Sequence, residues 1–216
     1  MDPFRLCLAL GPVAIYLLLL GAINLSRRPF LVSGTRDTAA LGLAVSGLIL
    51  VGPMELFLPL PAALRFGSYV WVLLMALYGL VLVLVLLLSR PRLVIYNIAS
   101  GELRPILADA VTRLDAEARW AGDSLWLPTL GVQLCLESLT ALRNVALVSA
   151  GPHQNYLGWR RLELGLRAAL DQYEVPRNWR ATVLTATGLA LLVFLLVTIA
   201  SDPQAVAQVM FEMIRR

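Results

Sequence analysis

The sequence predicts an α-helical membrane protein, with four transmembrane helices and one small inserted α+β two-layer domain on the cytoplasmic side. Three observations predict it. Four apolar runs, at about residues 6–25, 39–60, 69–88 and 183–200, each approach the ~20 residues an α-helix needs to cross ~30 Å of hydrocarbon. Hydrophobic residues make up 59% of the chain and charged residues 15%, against ~45–50% and ~25% in soluble domains. A polar stretch at residues 90–180 separates the third run from the fourth and is long enough to fold by itself.

The first run follows only Asp2 and Arg5, too weak a basic start for a cleaved signal, and Ser26-Arg27-Arg28-Pro29 after it reads as a stop. It is expected to be retained as a helix. The second run carries Ala40, Gly42, Ala44, Ser46 and Gly47, small residues on adjacent turns that let helix backbones approach. It also holds Gly52-Pro53-Met54-Glu55. An acid inside an apolar run is costly, and a Gly-Pro pair frees carbonyls beside it, so Glu55 is the candidate functional intramembrane acid. Its competing reading is an ion pair with Arg65 across a short turn. The third run is nearly all large aliphatic side chains and is expected to face lipid. The fourth has Thr182, Thr185, Thr187, Gly188 and Ala190 in its first half, which marks a packing face.

Within the polar stretch, residues 93–98 form a β-rich run. A helix opens at Ser100, with Leu103, Ile106, Leu107, Ala110, Val111 and Leu114 at helical spacing. Gly122-Asp123 between residues 116–121 and 124–127 predicts a hairpin. Leu130, Val132, Leu134 and Leu136 alternate with polar or small residues, giving a half-buried strand, and residues 144–149 supply another. Residues 156–173 form an amphipathic helix with Trp159, Leu162, Leu166, Leu170 and Tyr173 on one side. Two helices over one face of a mostly antiparallel sheet is the expected domain. After the fourth run, residues 203–216 carry a stripe of Val206, Val209, Met210 and Met213, expected as a short interfacial helix.

All 18 basic residues are arginines. Arg27, Arg28, Arg90, Arg92, Trp179 and Arg180 flank the runs and are candidate head-group anchors. Arg27, Arg28, Arg36, Arg90, Arg92, Arg177 and Arg180 fall on one side of an alternating topology, and Arg5, Arg65, Arg215 and Arg216 on the other. That asymmetry predicts a bacterial inner-membrane protein with the domain in the cytoplasm and both termini outside. It also places the basic charge against anionic lipid, so no nucleic-acid partner is expected. Arg160-Arg161, on the exposed side of the last domain helix, is a candidate docking patch.

The chemistry is thin. Without lysine there is no Schiff base and no phosphate-loop lysine. His153 is the one histidine, expected in a loop role, and Cys7 and Cys135 have no Cys-x-x-Cys partner. No catalytic residue, metal site or cofactor is expected. Asp109, Asp115, Glu117 and Asp123 have no catalytic spacing and read as surface charge. The expected function is non-enzymatic: a multi-pass protein presenting its domain for interaction, sensing or assembly, with a membrane-protein partner or a second copy of itself. The alternative is a subunit of a transporter or channel complex.

Overall fold

A computed structural model describes residues 3–54, 67, 69–139, 143–152, 154–176 and 178–201. In chain order the elements are α1 (Pro3–Leu25), β1 (Phe30–Ser33), α2 (Gly34–Ile49), α3 (Tyr69–Leu88), β2 (Arg92–Tyr96), α4 (Ser100–Leu114), β3 (Arg119–Ala121), β4 (Ser124–Leu127), β5 (Val132–Leu139), β6 (Asn144–Ser149), α5 (Tyr156–Leu170) and α6 (Ala181–Ser201). The chain divides into two compact units. One is Met1–Leu19, Ala39–Leu88 and Leu184–Arg216; the other is Leu20–Thr38 and Ser89–Val183.

The first unit is helical. Among the described residues, four helices are long and apolar enough to cross a membrane: Pro3–Leu25, Gly34–Gly52, Tyr69–Leu88 and Ala181–Ser201. Small residues set their spacing. A Cβ on Gly47 would lie 1.9 Å from the Leu8 carbonyl oxygen, and one on Gly42 would lie 2.5 Å from Leu82 Cδ1. One on Gly188 would meet Leu18 Cγ at 3.0 Å. The Tyr78 hydroxyl donates to the Gly42 carbonyl at 2.6 Å. Helix α3 instead exposes Val72, Leu73, Leu77, Leu80, Leu84 and Leu87, an apolar surface around most of its girth. Such a surface is stable only against other apolar groups.

The second helix starts before the expected residue 39, and residues 55–60 of the expected 39–60 lie outside the described residues. It starts at Gly34, with Asp37 in its first turn favoured by the positive end of the helix dipole. Its α-helical part ends at Ile49, and Leu50–Met54 is a π-helical turn. A proline, as at position 53, cannot donate a backbone hydrogen bond, a common cause of such a break.

The second unit is a sheet with two helices. Among the described residues the sheet has six strands in the order β1-β2-β6-β5-β4-β3, every neighbouring pair antiparallel. Strand β1 lies in the short connection between α1 and α2. It pairs with β2 through Leu31↔Ile95 and Ser33↔Leu93. Leu31, Leu93, Ile95, Val145, Leu147, Val132, Leu134, Leu125 and Leu127 project to one face. There they pack against Leu103, Leu107, Ala110 and Val111 of α4 and Trp159, Leu162, Leu166 and Leu170 of α5. This is the unit's core.

Local chemistry fixes the element ends. Gly122, at φ +65°, sits in the two-residue connection between β3 and β4, a backbone that favours glycine. Asn97, at φ +63°, ends β2 before the expected residue 98. The Asn155 side chain caps α5 by accepting from the backbone N–H groups of Leu157 and Gly158. The Glu102 carboxylate accepts from the Ala99 N–H at 3.4 Å and also takes the Arg143 guanidinium at 2.7 Å. Arg143 donates further to the Pro176 carbonyl, so one arginine ties α4 to the segment before α6.

Candidate functional site

One polar cluster in the second unit is formed by Asp37, Thr38, Arg92 and Tyr96. Register explains it. Arg92 and Tyr96 lie at alternate positions of β2, on the face opposite Leu93 and Ile95, and the first turn of α2 lies against Arg92. A Cβ on Gly34 would collide with the Arg92 side chain. Asp37 Oδ2 accepts from Arg92 Nη2 at 3.0 Å, and Asp37 Oδ1 accepts from the Tyr96 hydroxyl. The same Arg92 nitrogen donates to Thr38 Oγ1 at 3.0 Å. Both carboxylate oxygens are engaged by donors, so Asp37 is arranged as a fastener and not as a free base. Arg92, expected as a head-group anchor, has its guanidinium bonded to a nearby acid.

Removing either partner tests this fastener. Asp37→Ala and Arg92→Ala are each expected to lower the thermal stability of the full chain in detergent. A double-mutant cycle should give a coupling of about 1 kcal/mol, the size of a partly exposed pair. Additive single effects would show that the pair holds nothing.

Asp115 is the second departure from expectation. It was expected as surface charge, yet it is buried. Its Oδ1 accepts from Glu117 N at 3.0 Å and Thr129 Oγ1 at 2.9 Å, and its Oδ2 from Thr129 N at 2.8 Å and Leu130 N at 3.3 Å. Burial alone would push this carboxyl up, but the hydrogen bonds from Thr129, Glu117 and Leu130 outweigh it and hold it below the ordinary range. The residue joins the end of α4 to the turn before β5 and is structural.

The remaining charged groups sort by partner. Arg104 pairs with Asp123, Arg113 with Asp109, and Arg167 with Glu163. Arg119 stacks 5.8 Å from the Trp126 ring centre. Arg27, Arg28, Arg36, Arg90, Arg160, Arg161 and Arg180 are all exposed, with no side-chain partner among the described residues. Arg160 and Arg161 lie on the outward face of α5 beside Tyr156, Leu157 and Leu164, which are 74%, 70% and 59% exposed. The inward face of the same helix supplies Trp159, Leu162, Leu166 and Leu170 to the core. The outward face thus combines cations with large apolar side chains that no described residue covers.

Trp179 is 75% exposed beside Arg180, and Arg27 and Arg28 follow the end of α1. Arg90 follows the end of α3. Asp37 is not among the candidate residues read from the sequence, although an acid in the first turn of an apolar helix is a signal. Glu55, Arg65, Arg177, His153 and residues 203–216 lie outside the described residues. Among the described residues no group of three His, Cys, Asp or Glu side chains is placed to hold a metal. No family model matches the chain, and no curated protein or solved structure matches it either.

Proposed function

We propose that the chain is a multi-pass protein of a bacterial inner membrane. It presents its α+β unit to the cytoplasm as a non-enzymatic docking module for protein interaction or assembly. The observation that carries this reading is the outward face of α5. Tyr156, Leu157 and Leu164 offer apolar area, and Arg160 and Arg161 offer cations with no partner among the described residues on the same helix face. Aromatic and arginine side chains are the groups most enriched at protein interfaces. The complementary partner is an acidic segment with apolar side chains, on another membrane protein or on a second copy of the chain.

Support for the membrane setting comes from the four long apolar helices. Support for the side comes from two features. β1 lies between α1 and α2, and pairs with β2, which follows α3. In an alternating four-span topology these two connections fall on the same side. That side carries the exposed Arg27, Arg28, Arg36, Arg90 and Arg180, and positive charge favours the cytoplasm. The transporter or channel-subunit reading keeps one observation in its favour. The π-helical turn Leu50–Met54 interrupts an otherwise apolar helix, and among the described residues nothing lies within 4 Å of a Cβ built on Gly52.

A photo-crosslinking side chain at Leu157 or Leu164 of the full chain tests the docking reading in native membranes. A discrete adduct is expected, mapping to an acidic segment. An Arg160→Glu, Arg161→Glu double variant should lower its yield about tenfold, equivalent to about 1.4 kcal/mol. An absent adduct, or one indifferent to charge reversal, rejects the α5 face as the docking surface.

A further inference from the structure

We infer that the junction of Ser26-Arg27-Arg28 with Asn178-Trp179-Arg180 is a binding site for the phosphodiester headgroup of an anionic phospholipid. The inference rests on the membrane reading above and names a partner at a place distinct from α5.

The first support is charge without partners. Arg92, Arg104, Arg113, Arg143 and Arg167 each find a carboxylate in the folded chain. Arg27, Arg28 and Arg180 are exposed and find none among the described residues. Glu174 is the one acid in residues 26–30 and 174–180, and it pairs with none of the three.

The second support is a fixed backbone. The Ser26 carbonyl accepts from Asn97 Nδ2 at 2.6 Å, and the Ser26 hydroxyl accepts from Arg28 N at 3.2 Å. The Arg27 carbonyl accepts from Val175 N at 2.9 Å, which fixes the Arg27 backbone against the segment that follows α5. On the other side, Asn178 Oδ1 accepts from Arg180 N at 3.2 Å and the Trp179 carbonyl accepts from Thr182 Oγ1 at 2.6 Å. Asn97 and Asn178 are themselves buried, so these anchors are part of the packed unit. The arginines project from a prepared scaffold, and less ordering remains to be done when an anion binds.

The third support is the company the charges keep. Phe30 is 48% exposed and Trp179 is 75% exposed, beside arginines that stand within three residues of the ends of α1 and α6. Aromatic rings and arginines at the end of an apolar span match the headgroup level of a bilayer. Guanidinium groups pair with phosphate oxygens through two parallel hydrogen bonds. A soluble phosphate would use the cations and leave the aromatic rings and adjoining apolar helices without a role.

The test uses the full chain purified in dodecyl maltoside, with bound lipid counted by native mass spectrometry. Phosphatidylglycerol should be retained over phosphatidylcholine by about tenfold. An Arg27→Gln, Arg28→Gln, Arg180→Gln variant should lose that preference. An Arg36→Gln, Arg90→Gln variant should keep it, because those arginines stand at other helix ends and are not joined to this scaffold. A large excess of inorganic phosphate should leave the bound lipid in place. Equal retention of the two lipids by the unaltered chain overturns the inference and needs no variant to fold. So does a preference that survives the triple change, one that falls equally with Arg36 and Arg90, or displacement by inorganic phosphate. If the preference fails while the α5 adduct persists, only the lipid site is lost. If carbonate extracts the chain from native membranes, the membrane reading is lost with it.

Discussion

Gly158→Val is expected to unseat α5 from the sheet and lower stability by about 3 kcal/mol, the upper range for overpacking. A Cβ at this position would lie 2.1 Å from the Leu130 carbonyl oxygen and 2.9 Å from Val132 Cγ2. The Leu130 oxygen belongs to the backbone, which cannot turn aside as a side-chain tip does. The helix would have to lift, and Trp159, Leu162, Leu166 and Leu170 would lift with it from the core they now fill. Alanine at the same position meets the same backbone atom. It should therefore destabilise, although alanine normally stabilises a helix by about 1 kcal/mol over glycine. Gly165 supplies the contrast. Its added Cβ would meet Leu114 Cδ1 at 2.8 Å, the free end of a side chain that can rotate. Gly165→Ala should be close to neutral. Thermal unfolding of the full chain in detergent, followed by tryptophan fluorescence, separates the two. Equal effects at the two glycines would mean that α5 is not held at Gly158.

Some of this was legible because it is local. Four apolar runs read directly as helices, and the i, i+3, i+4, i+7 stripe through Trp159, Leu162 and Leu166 placed α5 on the sheet. Gly122-Asp123 marked the hairpin. What escaped was non-local. Phe30-Leu31-Val32-Ser33 is too short to show an alternating pattern, and it becomes a strand only because β2 offers it an open edge. The second helix starts earlier than hydropathy suggests because Asp37 is matched by Arg92 and Tyr96, whose side chains lie 55 and 59 residues further along the chain. Arg92 looked like its exposed neighbour Arg90, and no sequence pattern distinguishes an exposed arginine from one that faces a distant aspartate. Asp115 looked like ordinary surface charge for the same reason. Its four donors come from the turn at Glu117 and from Thr129 and Leu130, more than ten residues away for the latter pair. A candidate site built from long-range pairs is therefore visible only once the sheet order is known.

Asp115→Ala is expected to cost about 2–4 kcal/mol at neutral pH. Bonds to a charged acceptor are worth about 1.5–3 kcal/mol, and each buried donor left unpaired costs about 1–3 kcal/mol. The alanine variant strands the Leu130 N–H, beside a side chain that is itself buried, together with the Thr129 N–H and hydroxyl. The pH dependence has a definite sign. In the folded chain this carboxyl sits below the usual carboxylate range because the hydrogen bonds from Thr129, Glu117 and Leu130 outweigh the cost of burial. The unfolded chain titrates near ~3.9. A carboxyl held lower in the folded state contributes stability that is fully present above that value and disappears as pH falls through the folded value. The gap between the unaltered chain and Asp115→Ala should therefore stay constant from neutral pH down to about pH 5 and shrink below about pH 4. Asp115→Asn keeps one acceptor oxygen but turns an NH2 group toward donors. It should fall between the other two and should lack the acid-dependent change. Melting temperatures of the three proteins in detergent, measured across that range and read from the tryptophans of the α+β unit, decide the matter. If the gap instead widens on acidification, the carboxylate is not the form that the fold holds.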